Sequence, residues 1–253
     1  PNMVEYKLKR IFDYPNTGKA TRGVIGIPRV LNQYENYPFW FSVLTKLGFR
    51  VLISARSSHK IYEGGMETIP SESVCYPAKL AHGHIENLIE RGIKTIFYPD
   101  VPYENIENSN SNNHYNCPIV CSYPEVIRNN VENLLEKNIR YLNPFMPLDN
   151  LDNVALHLTE CFDYLGVSAE EAKQAVQAGA EEYFKYKEDI KAKGREILKE
   201  MEEKGLKGIV LAGRPYHCDP EINHGIPEMI NSYGFAVLTE DSVSHLCKVE
   251  RPL

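Results

Sequence analysis

Two cysteines stand just before prolines, in segments rich in other polar groups. In SESVCYPAKLAHGH (71–84), Cys75 lies two residues before Pro77, and in YNCPIVCSYPEV, Cys117 comes directly before a proline. A proline there is typical of the first turn of a helix. Free N–H groups at a helix start favour the thiolate, which is the form that binds metal or attacks an electrophile. Each cysteine is therefore a candidate metal ligand or nucleophile, and a small buried apolar residue is the alternative.

Other residues near the two cysteines could add ligands. His82 and His84 are two positions apart on a predicted helix, so they point to different sides and a shared metal is not favoured. Cys121 follows Cys117 by four positions, which places both on one helical face and makes Cys121 a candidate third ligand. The sequence has no C-x-x-C pair, so the common zinc-ribbon and thioredoxin spacings are not met. A zinc or thiol enzyme that uses Cys75 with one histidine stays open.

A second polar group follows a predicted strand in GRPYHCDPEINHGIP (213–227). Arginine and free helix N–H groups at such a place can hold an anionic ligand. The alternative is an ordinary turn in which Asp219 caps a short helix. The candidate ligand-binding residues are Arg214, His217, Asn223 and His224.

Strands and helices alternate over the first 150 residues. The predicted strands are 22–28, 49–54, 93–100 and 139–145, and the predicted helices are 36–48, 77–92 and 123–138, the last starting at Pro124. This order predicts an α/β fold with a Rossmann-like parallel sheet and flanking helices. Ligands bind at the carboxyl ends of parallel strands, so Cys75 and Cys117 are expected to face one crevice.

The chain divides into three predicted regions. Residues 1–150 form the α/β domain that carries Cys75 and Cys117, with a polar, Asn-rich surface loop at 104–116. Residues 151–204 form a helical connecting segment, whose long helix starts with the capping box of Ser168 and Glu171 and ends at Gly205. Residues 205–253 form the beginning of a second, truncated α/β unit, in which GFAVL repeats the GFRVL of the first.

Composition narrows the function classes. The 253 residues carry a net charge of −6 without a basic stripe, which argues against nucleic-acid binding. No apolar run approaches the roughly 20 residues of a membrane helix. Six cysteines without a signal-like start indicate a reducing compartment, and we expect a cytoplasmic protein. The chain starts without Met and ends at CKVERPL, so we expect a piece of a longer protein.

Three segments resemble one family, the acyl-CoA dehydratase activase-related proteins. They are IPSESVCYPAKLAHGHIENLIERGI, NCPIVCSYPEVIRNN and LAGRPYHCDPEINHGIPEMINSYGFAVLTEDSV, and the resemblance extends over the chain from about Arg22. The piece is similar to the 2-hydroxyacyl-CoA dehydratase-like or double-cubane-cluster-like region of the large CoA enzyme activase proteins. The resemblance implies a [4Fe–4S] or double-cubane iron–sulfur cluster with Cys75 and Cys117 as ligands. It implies a third cysteine beyond the last residue. Cys121 or Cys218 could substitute for it within the chain, although the resemblance requires a cysteine at neither position.

The resemblance also implies a function in ATP-driven, low-potential electron transfer. An ATP-dependent activase domain or subunit is the implied partner, because the sequence has no phosphate-binding loop of its own. A CoA thioester or another small molecule is the implied substrate, and whether the chain is itself an enzyme stays open. The alternative function is a non-catalytic module that docks an activase or holds a CoA-like anion at Arg214.

Overall fold

The computed structural model describes residues 1–15, 20–107 and 113–247. The strands are β1 (Val24–Ile27), β2 (Arg50–Ile53), β3 (Thr95–Phe97), β4 (Arg140–Leu142), β5 (Gly208–Leu211) and β6 (Ala236–Thr239). The α-helices are α1 (Met3–Phe12), α2 (Gln33–Lys46), α3 (His59–Gly65), α4 (Tyr76–Glu90), α5 (Pro118–Asn130), α6 (Asn133–Glu136), α7 (Leu151–Cys161), α8 (Ala169–Lys204), α9 (Pro220–Asn223), α10 (Ile226–Ser232) and α11 (Glu240–Val243).

The first four strands form a parallel sheet in the order β2-β1-β3-β4. Gly26 of β1 pairs with Leu52 on one side and with Ile96 on the other. The chain passes from β1 to β2 on one side and then crosses over β1 to reach β3 on the other side. Because these two connections run in opposite directions along the sheet, helices cover both of its faces. This architecture confirms the predicted α/β fold. The carboxyl ends of β1 and β3 flank the point where the strand order reverses, which is where open sheets bind ligands.

Two hydrophobic cores lie on opposite faces of the sheet. On one face, Trp40 of α2 packs edge-on against Phe97 at 5.2 Å between ring centroids, with α7 and α8 over them. On the other face, Ile96 meets Leu88 of α4 and Ile127 of α5, all fully buried. The two candidate cysteines thus belong to helices of the same face.

The long helix α8 covers α2. It has 36 residues, begins with the capping box of Ser168 and Glu171, and ends at Gly205, whose φ of 63° is left-handed. These features confirm the helix boundaries predicted from the sequence. Gly179 lets α8 approach closely, because a Cβ there would lie 3.0 Å from the Phe39 carbonyl oxygen.

Strands β5 and β6 form a second, two-stranded parallel sheet, which confirms the predicted second α/β unit. The helix α1, which the sequence patterns did not predict, closes this unit. Asn2 bridges to Val237, and Lys7 forms a buried ion pair with Asp241 at 2.6 Å. The sequence does contain a signal for this helix, because Val4, Leu8 and Ile11 recur at helical spacing among the charged residues.

The predicted helix 123–138 is wrong in its boundaries. The chain forms α5 from Pro118 and a separate short α6, with Pro124 inside α5. Pro118 starts the helix because its missing N–H is not needed there, whereas Pro124 removes one interior hydrogen bond without ending the helix. The helix α3 was also not predicted. Within the ranges described above, no helix is long and apolar enough to span a bilayer.

Candidate functional site

Cys75 and Cys117 are the N-terminal capping residues of two neighbouring helices, α4 and α5. Each helix has a proline in its first turn, as the sequence predicts. Cys75 is exposed and Cys117 is half-buried. Neither side chain makes a capping hydrogen bond, so both thiols are without a partner from the first turn of their own helix.

The pKa of Tyr216, in the loop after β5, responds to both cysteines. Burial raises the pKa of Tyr216, Cys75 and Cys117 raise it further, and the nearby Arg214 guanidinium lowers it. Cys117, Arg214 and Tyr216 line one small cavity at the carboxyl ends of the strands, together with Asn32 of the loop after β1. The structure thus brings Cys117 and Arg214 together, and Cys75 begins the neighbouring helix α4.

Cys121 does not complete a metal site with this pair. It lies one helical turn beyond Cys117, and its Sγ faces the carbonyl oxygens of Val101 at 3.9 Å and Asn116 at 3.7 Å. Burial raises the pKa of Cys121, and the nearby charges of Asp100 and Cys117 add to this effect. Among residues 1–15, 20–107 and 113–247, no three or more His, Cys, Asp and Glu side chains are arranged to hold a metal.

Both histidines of α4 are fully buried and serve separate hydrogen bonds. His82 contacts the hydroxyl of Thr68 at 2.7 Å and that of Tyr123 at 3.1 Å. His84 joins two serine hydroxyls of the loop after β2. Burial lowers the pKa of His82 to about 4 and that of His84 to about 3, so both are neutral. With both ring nitrogens occupied, neither histidine is free to join a metal.

The polar residues of 213–227 have different surroundings. Arg214 is exposed and lines the small cavity, and its backbone N–H donates to His217 Nδ1 at 3.1 Å. Asn223 accepts from the Gly225 N–H at 3.0 Å, which closes a local turn, and His224 is exposed in left-handed backbone. Asp219 caps α9. Arg214 is thus the member of the group that joins the cysteines.

A larger cavity of about 430 Å³ adjoins the small one and shares Arg214 with it. Its acidic lining residues are Glu35, Glu104, Glu107, Glu240 and Asp241, and its basic ones are Lys7, Lys187 and Arg214. Lys187 pairs with Glu35 and with Glu107, the latter at 2.8 Å. Carboxylates outnumber cations, so this cavity favours neutral or cationic ligands.

Glu104 is the carboxyl group of this cavity that can exchange a proton near neutral pH. Burial raises the pKa of Glu104 to about 7, and the charge of Glu35 adds to the rise. The amides of Asn36, at 3.0 and 3.1 Å, and Asn116, at 2.6 Å, fix its orientation. Such a group can act as a general acid or base. The sequence predicts that Glu104 lies in an ordinary surface loop. No local pattern indicates its burial, because its hydrogen-bond partners are Asn36 of α2 and Asn116 at the far end of the loop.

These features define an α/β protein with two cysteines at helix N-termini, a tyrosine and an arginine at the carboxyl edge of a parallel sheet. Residues 24–243 match the family described as CoA enzyme activase uncharacterised domain (DUF2229). The match covers most of the chain, so the chain belongs to this family, which confirms the CoA enzyme activase relationship predicted from the three segments. A search of curated proteins finds no match, and a search of solved structures finds none.

Proposed function

We propose that this chain is an electron-transfer module of a CoA enzyme activase system, in which Cys75 and Cys117 are two thiolate ligands of an iron–sulfur cluster. One observation carries the proposal. The two thiols begin adjacent helices at the carboxyl edge of the sheet, and Cys117 lines one cavity with Tyr216 and Arg214. The membership of the chain in the CoA enzyme activase family supports the activase context.

The donor chemistry fits part of such a site. Iron–sulfur clusters are held by cysteine thiolates, usually four, and helix N-termini favour that form of the side chain. The described residues supply two thiols here, so the other donors have to come from outside them. A bound cluster would supply one-electron chemistry. Tyr216 and Arg214 would then raise the reduction potential of the cluster, because hydrogen bonds and positive charge near the sulfurs favour the reduced state.

Anaerobic reconstitution with iron and sulfide tests the proposal. After desalting, the wild-type chain is expected to retain iron and to give a low-temperature EPR signal on reduction. The double variant Cys75→Ser, Cys117→Ser is expected to lose both. Cys161→Ser is the matched control, because burial raises the pKa of Cys161 to about 12 and it lies in α7, on the other side of the sheet. Equal iron in the wild type and the double variant would rule the proposal out.

The second candidate function is a docking module for an activase partner or a CoA-like anion. The observation in its favour is Arg214, which is exposed and lines the small cavity beside Cys117. Calorimetric titration with an acyl-CoA and with the activase domain tests it. Binding that Arg214→Gln weakens, in a chain that retains no iron, would favour this function over electron transfer.

A further inference from the structure

Two arginines follow neighbouring strands of the main sheet, away from the cysteines. Arg29 lies two residues after β1 and Arg56 three residues after β2. Both line a cavity of about 540 Å³, whose other walls come from α1, α2 and the start of α9. The carboxyl ends of parallel strands are the usual place for a bound ligand.

Arg29 has no anionic partner in the described part of the chain. Among the described residues, its Nε is buried without a hydrogen bond, and no carboxylate lies within salt-bridge distance of either arginine. Its guanidinium stacks on Phe12, 4.3 Å from the ring centroid. Burial lowers the pKa of Arg29 and the charge of Arg56 lowers it further, whereas Tyr34 and Asp219 oppose this shift. A largely buried cation beside a like charge costs free energy unless something pairs with it.

The carboxylates of the cavity already have other partners or are exposed. They are Glu5, Asp13 and Asp219. Asp219 accepts hydrogen bonds from the hydroxyls of Tyr34 and Ser57, and its other oxygen caps α9. Glu5 pairs with Lys9 at 2.8 Å, and Asp13 is exposed. The charge of Asp219 partly favours the Arg29 cation, but none of the three carboxylates forms a salt bridge with it.

A buried network holds the two arginine loops in a fixed relation. The backbone N–H of Arg29 donates a hydrogen bond to Ser54 Oγ at 2.8 Å, which joins the loop after β1 to the loop after β2. His84 contacts Ser54 Oγ at 2.8 Å and Ser57 Oγ at 3.0 Å, on either side of Arg56 in the sequence. The loops are therefore positioned before any ligand binds, as a specific binding site requires.

We infer that this cavity binds a phosphate-bearing small molecule, with Arg29 and Arg56 on the phosphate and the apolar side chains of Leu8 and Phe12 beside the organic part. Two guanidinium groups match the charge of a phosphate, which is close to −2 at neutral pH, and Arg forms bidentate hydrogen bonds with phosphate oxygens. The volume lies within the roughly 300–1,000 Å³ of small-molecule sites. The site is separate from the cysteines, so it does not depend on the proposed cluster.

Isothermal titration of the full chain tests this inference. The probes are inorganic phosphate, pyrophosphate, AMP and CoA, with succinate as a dicarboxylate of similar charge. Tighter binding of AMP or CoA than of inorganic phosphate is expected, since the cavity is larger than one phosphate. Equal binding of succinate would overturn the phosphate assignment, and no binding of any probe up to about 10 mM, where even weak complexes form, would overturn the site.

Three variants complete the test. Arg29→Gln and Arg56→Gln are each expected to weaken binding at least about tenfold. Arg50→Gln, at the opposite end of β2 and also exposed, is the matched control and is expected to bind as the wild type does. Unchanged affinity in both Arg29→Gln and Arg56→Gln would overturn the inference, and Arg56 is exposed, so its variant will fold.

Discussion

The hydroxyl of Tyr34, in α2, donates a hydrogen bond to the carboxylate of Asp219, which lies 185 positions later in the chain. Both side chains are almost fully buried, at 1% exposure each. Asp219 also caps α9, so one carboxylate joins the main sheet to the second α/β unit. A charged acceptor with this little solvent depends on its donors for stability.

Removal of this donor is expected to destabilise the protein. Tyr34→Phe should lower the free energy of unfolding by about 1.5–3 kcal/mol, the range for a hydrogen bond to a charged group. Tyr98→Phe is the control, because the Tyr98 hydroxyl is buried and has no partner among the described residues. Its loss should be neutral or stabilising. Urea denaturation measures both, and equal losses in the two variants would contradict the role given to Asp219.

The sequence predicted the elements of regular pattern well. The four strands of the main sheet, α4 and α8 lie within a few residues of their predicted positions, because each has an apolar run with a cap or a glycine at its end. The predictions failed where tertiary contacts decide the structure. Pro124 looks like a helix start but lies inside α5, and α1 is stabilised by partners more than 200 positions away.

The candidate site was predicted only in part. Proline beside Cys75 correctly indicated a helix start, since that signal is local. Pro118 beside Cys117 gives the same signal, but the helix was predicted to start at Pro124. Glu104 and Arg29 carry no local signal. Their properties arise from burial and from side chains of other elements, which no spacing along the chain reveals.

The close contact between α3 and α4 gives a test of the packing of α4, the helix that begins at Cys75. A methyl group at Gly83 of α4 would overlap the carbonyl oxygen of Ile61 in α3. Gly83→Ala is therefore expected to cost about 3 kcal/mol or more, despite the gain of about 1 kcal/mol in helix propensity. Gly64→Ala, in α3 with open space around it, should be neutral or slightly stabilising. Thermal denaturation distinguishes them, and similar melting temperatures would show that the two helices can separate at little cost.

The thiols are expected to differ strongly in reactivity. Cys75 is exposed at a helix start, whereas burial raises the pKa of Cys161 to about 12 and that of Cys218 to about 11. Since the thiolate is the nucleophile, iodoacetamide at pH 8 should modify Cys75 at least about a hundredfold faster than either buried thiol. Mass spectrometry of digested samples over time measures this. The exposed Cys247 is an internal reference, and comparable rates at Cys75 and Cys161 would contradict the prediction.

The raised pKa of Glu104 predicts that the stability of the protein depends on pH near neutrality. The pKa of Glu104 is raised to about 7 in the folded chain, so its contribution to stability is complete below its ordinary pKa of 4.5 and is lost as the pH rises through 7. Glu104→Gln cannot titrate. Relative to the wild type, the variant should gain about 2–3 kcal/mol between pH 5 and pH 8, on top of any constant offset from changed hydrogen bonds.

Denaturation at several pH values checks this prediction. Glu67→Gln, which replaces an exposed glutamate, is the matched control and should follow the wild type at every pH. A constant difference between Glu104→Gln and the wild type across pH 5–8 would show that Glu104 is ionised throughout this range.

The contacts of α1 have a consequence for the order of folding. Its bridge from Asn2 to Val237 and its ion pair from Lys7 to Asp241 join residues more than 230 positions apart. On the ribosome, α1 therefore cannot acquire these partners until almost all of the described chain has been made. Contacts of such long sequence separation form late and slowly, so within the described residues the second α/β unit is expected to become stable last.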